Sequence, residues 1–385
     1  MPDTSLRPRI GAVSLLPGPW QDYAARTHAY LRSLDPDRLL HSFRRNAGLP
    51  SEVVPCGGCE APGSALRGHF VGQVLSAWAR AFAATGDPAC SLRVNYLVQQ
   101  LALCQDRARF AGYSTGYLSA FPEGVLGEAE ARQPAGEPYR ALHKIMAGLF
   151  DAHVLVGNAQ ALTVLNRMAA WLGWRLGRLS RAQRRDAVAT RSGGMNEVLA
   201  DLHRLTGDPA HLTTSRYFAP DVARASADWC DTHDLLRRPV RVFRADRGRT
   251  RYFDFYEYAL HHRPERVEEF SCCHGAVLEA GAGLGDSVYT RTGSTLYVNL
   301  FVPSVLTWAG RGLVVRQDAV PGTRLTITGS GRIDLRVRIP SWAAGARMLV
   351  NGVEERPVTP GTCARVDRDW IDANVVEVTN LRRCL

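Results

Sequence analysis

Apolar residues in the first two-thirds of the chain recur at spacings of three and four, the period of an amphipathic helix. This reading predicts helices over 69–84, 91–106, 141–156, 159–176 and 194–205, with Leu75, Trp78, Ala79 and Phe82 forming one such stripe and Leu142, Ile145, Met146 and Leu149 another. Short turns separate them. Thr85-Gly86-Asp87-Pro88 and Thr206-Gly207-Asp208-Pro209 are the same tetrapeptide at equivalent helix ends, glycine closing one helix and proline opening the next segment. A run of helix pairs with a repeated turn suggests an α/α toroid. Residues 211–265 are the least regular part of the chain, rich in Arg and Asp with Pro220, Pro239 and Pro264.

From about residue 285 the period shortens to two. Ser287–Thr290, Thr295–Val302, Arg324–Thr328 and Asp334–Ile339 read as short strands set apart by Gly and Pro turns. The expected fold is therefore a mainly α-helical toroid or related helical array over 1–283, followed by an antiparallel β-sandwich over 284–385. A sandwich edge is a candidate homodimer interface.

Composition narrows the function classes. The chain has 385 residues, 45% hydrophobic and 22% charged, as expected of a globular protein with a large and a small domain. The formal charge is +10, but the basic residues are scattered and nearly all arginine, Lys144 being the single lysine. No basic patch interleaved with aromatics is present, so a nucleic-acid partner is not expected. Neither is a membrane: no apolar stretch approaches the roughly 20 residues that span a bilayer. Met1-Pro2-Asp3-Thr4-Ser5 shows no basic leader with an apolar core, and nine cysteines without one favour reduced thiols in the cytoplasm.

Those cysteines carry the candidate chemistry. Cys272 and Cys273 adjoin in Ser271-Cys272-Cys273-His274, and Cys230 lies earlier in Asp228-Trp229-Cys230. Three thiolates and one carboxylate form a plausible tetrahedral zinc site. The plainer reading is that free cysteines behave as small buried hydrophobes, and that neighbours on a strand face opposite ways. Cys56-Gly57-Gly58-Cys59 has the spacing of half a zinc knuckle or a redox pair, but no second such pair accompanies it, so it reads as a loop. Asn196 and Glu197 follow a Gly-Gly pair at a helix start, where Asn would serve as a cap. Tyr117, Phe121 and Tyr256 could stack on a sugar ring or simply pack a core.

Leu66-Arg67-Gly68-His69-Phe70-Val71-Gly72, Gly116-Tyr117-Leu118-Ser119-Ala120-Phe121-Pro122, His143-Lys144-Ile145 and the segment from Gly193-Gly194-Met195-Asn196-Glu197 to Leu202 are similar to signatures of one family. The Cys-Cys pair, Gly285–Tyr289 and Leu296–Ser304 fit the same family. Over about residues 60–375 the chain resembles the β-L-arabinofuranosidases, glycoside hydrolase family 127. The resemblance implies a retaining, zinc-dependent glycosidase acting on a small arabinofuranoside-like carbohydrate. It implies Cys272 as nucleophile, Asp228 (where the family has glutamate), Cys230, Cys272 and Cys273 as zinc ligands, and His69, His143 and Tyr256 as sugar contacts. Two departures stand out. Only about twenty residues separate Pro209 from Asp228, as though a helix pair were missing together with the family's His-Ala-Asn-Thr-Gln stretch. Near the expected acid/base glutamate the chain has Arg216, whose guanidinium cannot donate a proton at working pH. Glu197, Glu257, Glu268 and Glu269 are the possible substitutes. The alternative is a catalytically degenerate member that binds carbohydrate or serves a structural role.

Overall fold

A computed structural model describes residues 13–131, 136–189, 194–218, 251–264, 270–319, 322–371 and 374–381. The chain divides into two compact units. The first takes its described residues from His28–Asp234 and Arg263–Ala282, the second from Asp3–Thr27, Leu235–His262 and Gly283–Leu385. The helices, in chain order, are α1 (Pro19–Ser33), α2 (Pro36–Asn46), α3 (His69–Thr85), α4 (Pro88–Ala108), α5 (Gly124–Glu130), α6 (Pro138–Val156), α7 (Ala159–Gly177), α8 (Arg181–Ala189), α9 (Met195–Thr206), α10 (Pro209–Tyr217), α11 (Arg251–His261), α12 (Cys272–Ala282) and α13 (Leu284–Val288). The five helices expected from periodicity are α3, α4, α6, α7 and α9. The irregular stretch takes in most of α10 and all of α11, and α1 and α2 precede the first expected helix.

In the helical unit α3 packs between α6 and α12, and α6 packs in turn on α9. Every residue of α3 from His69 to Ala81 is buried, as is every residue of α6 from Pro138 to Ala152. Helices buried all round lie inside. Behind them α4, α7 and α10 pack on α3, α6 and α9 respectively, and each shows a single buried face. This is the inner–outer alternation of an α/α toroid. Two glycines set the inner spacing: a Cβ at Gly72 would collide with the Lys144–Ile145 backbone, and one at Gly148 would meet the Gly72 carbonyl oxygen at 2.5 Å. The matches 72 with 144–145 and 148 with 72–75 rise together along both helices, so α3 and α6 run parallel. Buried charge bridges them, with Arg80 Nε 3.3 Å from Asp151 Oδ2 and the Ser76 hydroxyl donating to the same oxygen.

The repeated tetrapeptide works as its residues predict. Gly86 and Gly207 end α3 and α9 in the left-handed region, at φ of 72° and 76°. Asp87 and Asp208 then cap α4 and α10, accepting from the N–H of Ala89 at 3.0 Å and of Ala210 at 2.8 Å, with proline at the first helical position.

The second unit holds two sheets. The strands are β1 (Val13–Leu15), β2 (Tyr289–Thr292), β3 (Thr295–Val298), β4 (Ser304–Trp308), β5 (Leu313–Asp318), β6 (Thr323–Thr328), β7 (Gly331–Arg338), β8 (Arg347–Val350), β9 (Val353–Pro357), β10 (Cys363–Trp370) and β11 (Asn374–Thr379). One sheet has the order β1-β4-β5-β6-β11-β8-β9 and the other β10-β7-β3-β2. Alternating burial along β5 and β6 gives each a core face and a solvent face. Three details depart from expectation. β3 and β7 pair in parallel, so the sandwich is mixed. Ser287 and Val288 belong to α13 rather than a strand, because Leu284, Ser287 and Val288 are buried at helical spacing. The edge of the larger sheet comes from the N-terminal segment, Val13 pairing with Leu306.

Candidate functional site

The starts of the inner helices gather the predicted site residues of the helical unit at one end. α12 begins at Cys272, and the Ser271 hydroxyl caps it by accepting from the His274 N–H at 3.2 Å. Cys272 and Cys273 therefore occupy a first helical turn and not a strand. Successive helical side chains diverge by about 100°, so adjacent thiols share a face far more readily than on a strand. The positive end of the helix also favours negative charge there. α12 is held on α3 by rings: Phe270 stacks on Phe70 at 4.4 Å between centroids, and His274 stacks on Phe70 at 5.5 Å. Gly275 sits directly against Gln73.

His69 is the first residue of α3 and fully buried, and His143 lies in the second turn of α6 and is buried too. The Gly194 N–H at the start of α9 donates to His143 Nδ1 at 3.3 Å. An imidazole accepting at Nδ1 carries its proton on Nε2, so it presents a donor there. A Cβ at 194 would lie 3.1 Å from His143 Nε2, so any larger residue there would press on the imidazole. The N-cap of α9 is Gly194 with no side-chain cap, so Asn196 is not the cap its position suggested. Glu197 stands in the first turn of α9, at the same end as His143, while Glu257 is exposed on α11.

Other assignments fall elsewhere. Tyr256 is on α11 in the second unit, buried, with its hydroxyl donating to Ser287 Oγ. Tyr117 and Phe121 are core residues: Tyr117 is fully buried against Tyr113 and Trp171, which leaves no face for a sugar. Asp228, Cys230, Glu268, Glu269 and the side chain of Cys272 lie outside the described residues. Among the described residues no group of three His, Cys, Asp or Glu side chains is placed to hold a metal. By donor chemistry, three thiols and a carboxylate suit zinc. Cys56, Cys59, Cys90, Cys104, Cys273 and Cys363 form no disulfides. Burial pushes the Cys56 thiol up to about 12, which removes it as a ready thiolate. A cavity of about 780 Å³ between α7 and α10, lined by Asn166, Trp174, Asp208 and Tyr217 among others, is at the far end of α9 and contains no predicted site residue.

Sequence reasoning missed Glu60. It is 3% exposed, and its two carboxyl oxygens accept from the N–H groups of Gly68 at 2.7 Å and Phe70 at 2.6 Å, on either side of His69. Burial drives this carboxyl up to about 8, against the pull of those backbone donors. Nothing local in the sequence announces it, because the helix it caps begins nine residues later.

The family model described as the β-L-arabinofuranosidase GH127 catalytic domain matches residues 12–234, and the GH127 middle-domain model matches residues 295–380. The chain thus belongs to the GH127 β-L-arabinofuranosidase family and is a glycoside hydrolase. Among solved structures it is similar to a GH127 β-L-arabinofuranosidase from Geobacillus stearothermophilus T6, at 14% identity and a TM-score of 0.64, over 95% of this chain and 81% of that one. A second GH127 β-arabinofuranosidase matches at 13% identity and a TM-score of 0.65, over 97% and 80%. A structure titled only as a glycoside hydrolase matches at 14% and 0.60, over 96% and 77%. At these identities the structural likeness speaks for the fold. No curated protein matches. Among the described residues no helix is long and apolar enough to cross a membrane.

Proposed function

We propose that the chain is a retaining β-L-arabinofuranosidase in which Cys272 is the nucleophile. The observation that carries this reading is the start of α12: Cys272 and Cys273 open a helix packed on α3, at the end where His69 and His143 lie. The Cys272 thiolate attacks the anomeric carbon as the glycosidic C–O bond breaks, and the leaving oxygen takes a proton from a carboxylic acid. Water then displaces sulfur at the same carbon and returns a proton to the carboxylate, so two inversions retain configuration. Asp228, Cys230, Cys272 and Cys273 would hold zinc, which when bound keeps sulfur as thiolate at neutral pH. His69 and His143 grip the sugar hydroxyls, with His143 donating from Nε2. Tyr256 is the third proposed sugar contact.

Of the four glutamates that could replace the missing acid, Glu197 is favoured, since it shares the first turn of α9 with the Gly194–His143 contact. A second reading, a member that binds sugar without turnover, is favoured by Arg216, exposed at the end of α10 near the family's acid position. Hydrolysis of an aryl β-L-arabinofuranoside by the wild type and by Cys272→Ala separates the two. Turnover lost in the variant supports the nucleophile; equal background rates in both overturn it. Zinc analysis of protein purified under reducing conditions tests the metal, with about one equivalent expected and less than about half counting against four ligands.

A further inference from the structure

We propose that Glu60 is a positioning residue that fixes His69 for the sugar and ties it to the cysteine helix through the strap formed by residues 56–60. This rests on the reading of His69 as a sugar contact.

The strap is anchored on both sides. On one side the Cys59 N–H donates to the Phe270 carbonyl at 2.6 Å, two residues before Cys272. Gly58, at φ of 58°, lies so close to Phe270 that any Cβ would strike its backbone. On the other side Glu60 grips the N–H groups of Gly68 and Phe70, and the His69 N–H is taken by the Leu66 carbonyl at 3.1 Å. Three consecutive amides around His69 are thereby fixed, two of them by one carboxyl. The Phe70 ring closes the loop by stacking on Phe270.

A helix start needs no such arrangement for stability alone. At the starts of α4 and α10 a single aspartate in the cap position, Asp87 or Asp208, does this alone. Instead position 68 is a left-handed glycine at φ of 89°, and the acceptor is a carboxyl taken out of water, which is costly. What the buried carboxyl adds is a rigid link from His69 to the segment leading into Cys272. Catalytic groups held to a fraction of an ångström depend on such supports.

The test compares Glu60→Gln with Asp208→Ala, a cap at the opposite end of the inner helices. In Glu60→Gln, KM for the aryl arabinofuranoside rises roughly tenfold while kcat changes less, the pattern of lost binding at His69. The His69 imidazole NMR signals, identified by their absence in His69→Gln, shift in Glu60→Gln and stay in place in Asp208→Ala. Glu60→Asp, which keeps the carboxyl one methylene short, gives partial recovery of both readings and replaces Glu60→Gln should that variant not fold. Unmoved His69 signals, or a KM no different from that of Asp208→Ala, overturn the proposal. If the wild type shows no turnover, the catalytic reading fails separately and the His69 signals alone decide the role of Glu60.

Discussion

The two ends of the inner helices are built by different rules. At the end where α3 and α9 finish, each cap is local: a left-handed glycine closes the helix and an aspartate one residue on caps the next. At the end where α3, α6, α9 and α12 start, α12 keeps a local cap in Ser271, but the partners of α3 and α9 are distant in sequence. Glu60 serves α3 from eight to ten residues away, and His143 meets Gly194 across 51 positions. Local caps serve stability and can be exchanged for similar residues. Long-range caps hold several chain segments in one geometry, which is what a site requires.

The largest expected effect is at the starting end, where Cys272→Ala reduces hydrolysis of an aryl β-L-arabinofuranoside to background by removing the attacking atom. If turnover survives, the functional end has been misplaced. Next comes the middle of the inner layer. Asp151→Ala leaves Arg80 buried without its carboxylate and costs about 3–5 kcal/mol, read as a loss of denaturation midpoint. That loss lowers the amount of folded protein but leaves KM of the survivors unchanged, unlike any change at Glu60.

Glu60 also predicts a pH dependence at the starting end. Its folded value, about 8, lies above its ordinary 4.5, so the fold favours the protonated form. Its contribution is complete below about pH 4.5, declines as the unfolded chain releases a proton that the folded chain keeps, and is lost as pH rises through about 8. Denaturation midpoints compared at pH 5 and pH 8.5 should fall with pH in the wild type, and Glu60→Gln should flatten that slope. The smallest effect is at the finishing end: Asp208→Ala costs about 1 kcal/mol of stability with kcat/KM retained. A drop in kcat/KM there would erase the distinction between the ends.

Local rules carry far in this chain. Spacing of three and four located α3, α4, α6, α7 and α9, and glycine, aspartate and proline marked their turns, because these signals act within one helical turn. The motifs around His69, His143 and Cys272 pointed to the family, which the matched domains bear out. Weaker local signals were passed over, such as Ser271 as the cap of the cysteine helix, and Asp35 and Pro36 opening α2.

What the amino-acid sequence determines by itself is the helical-then-β order, the repeated turn and the residue types of the site. Only the tertiary structure decides that Cys272 and Cys273 open a helix instead of lying on a strand, that β3 pairs with β7 in parallel, and that residues 13–15 complete a distant sheet. It alone places Tyr117 and Phe121 in the core and sets Glu60 under His69. The physical reason is range. Periodicity and turn chemistry are paid within a few residues, whereas burial and long-range hydrogen bonds depend on which segments meet, and that is settled only when the whole core packs.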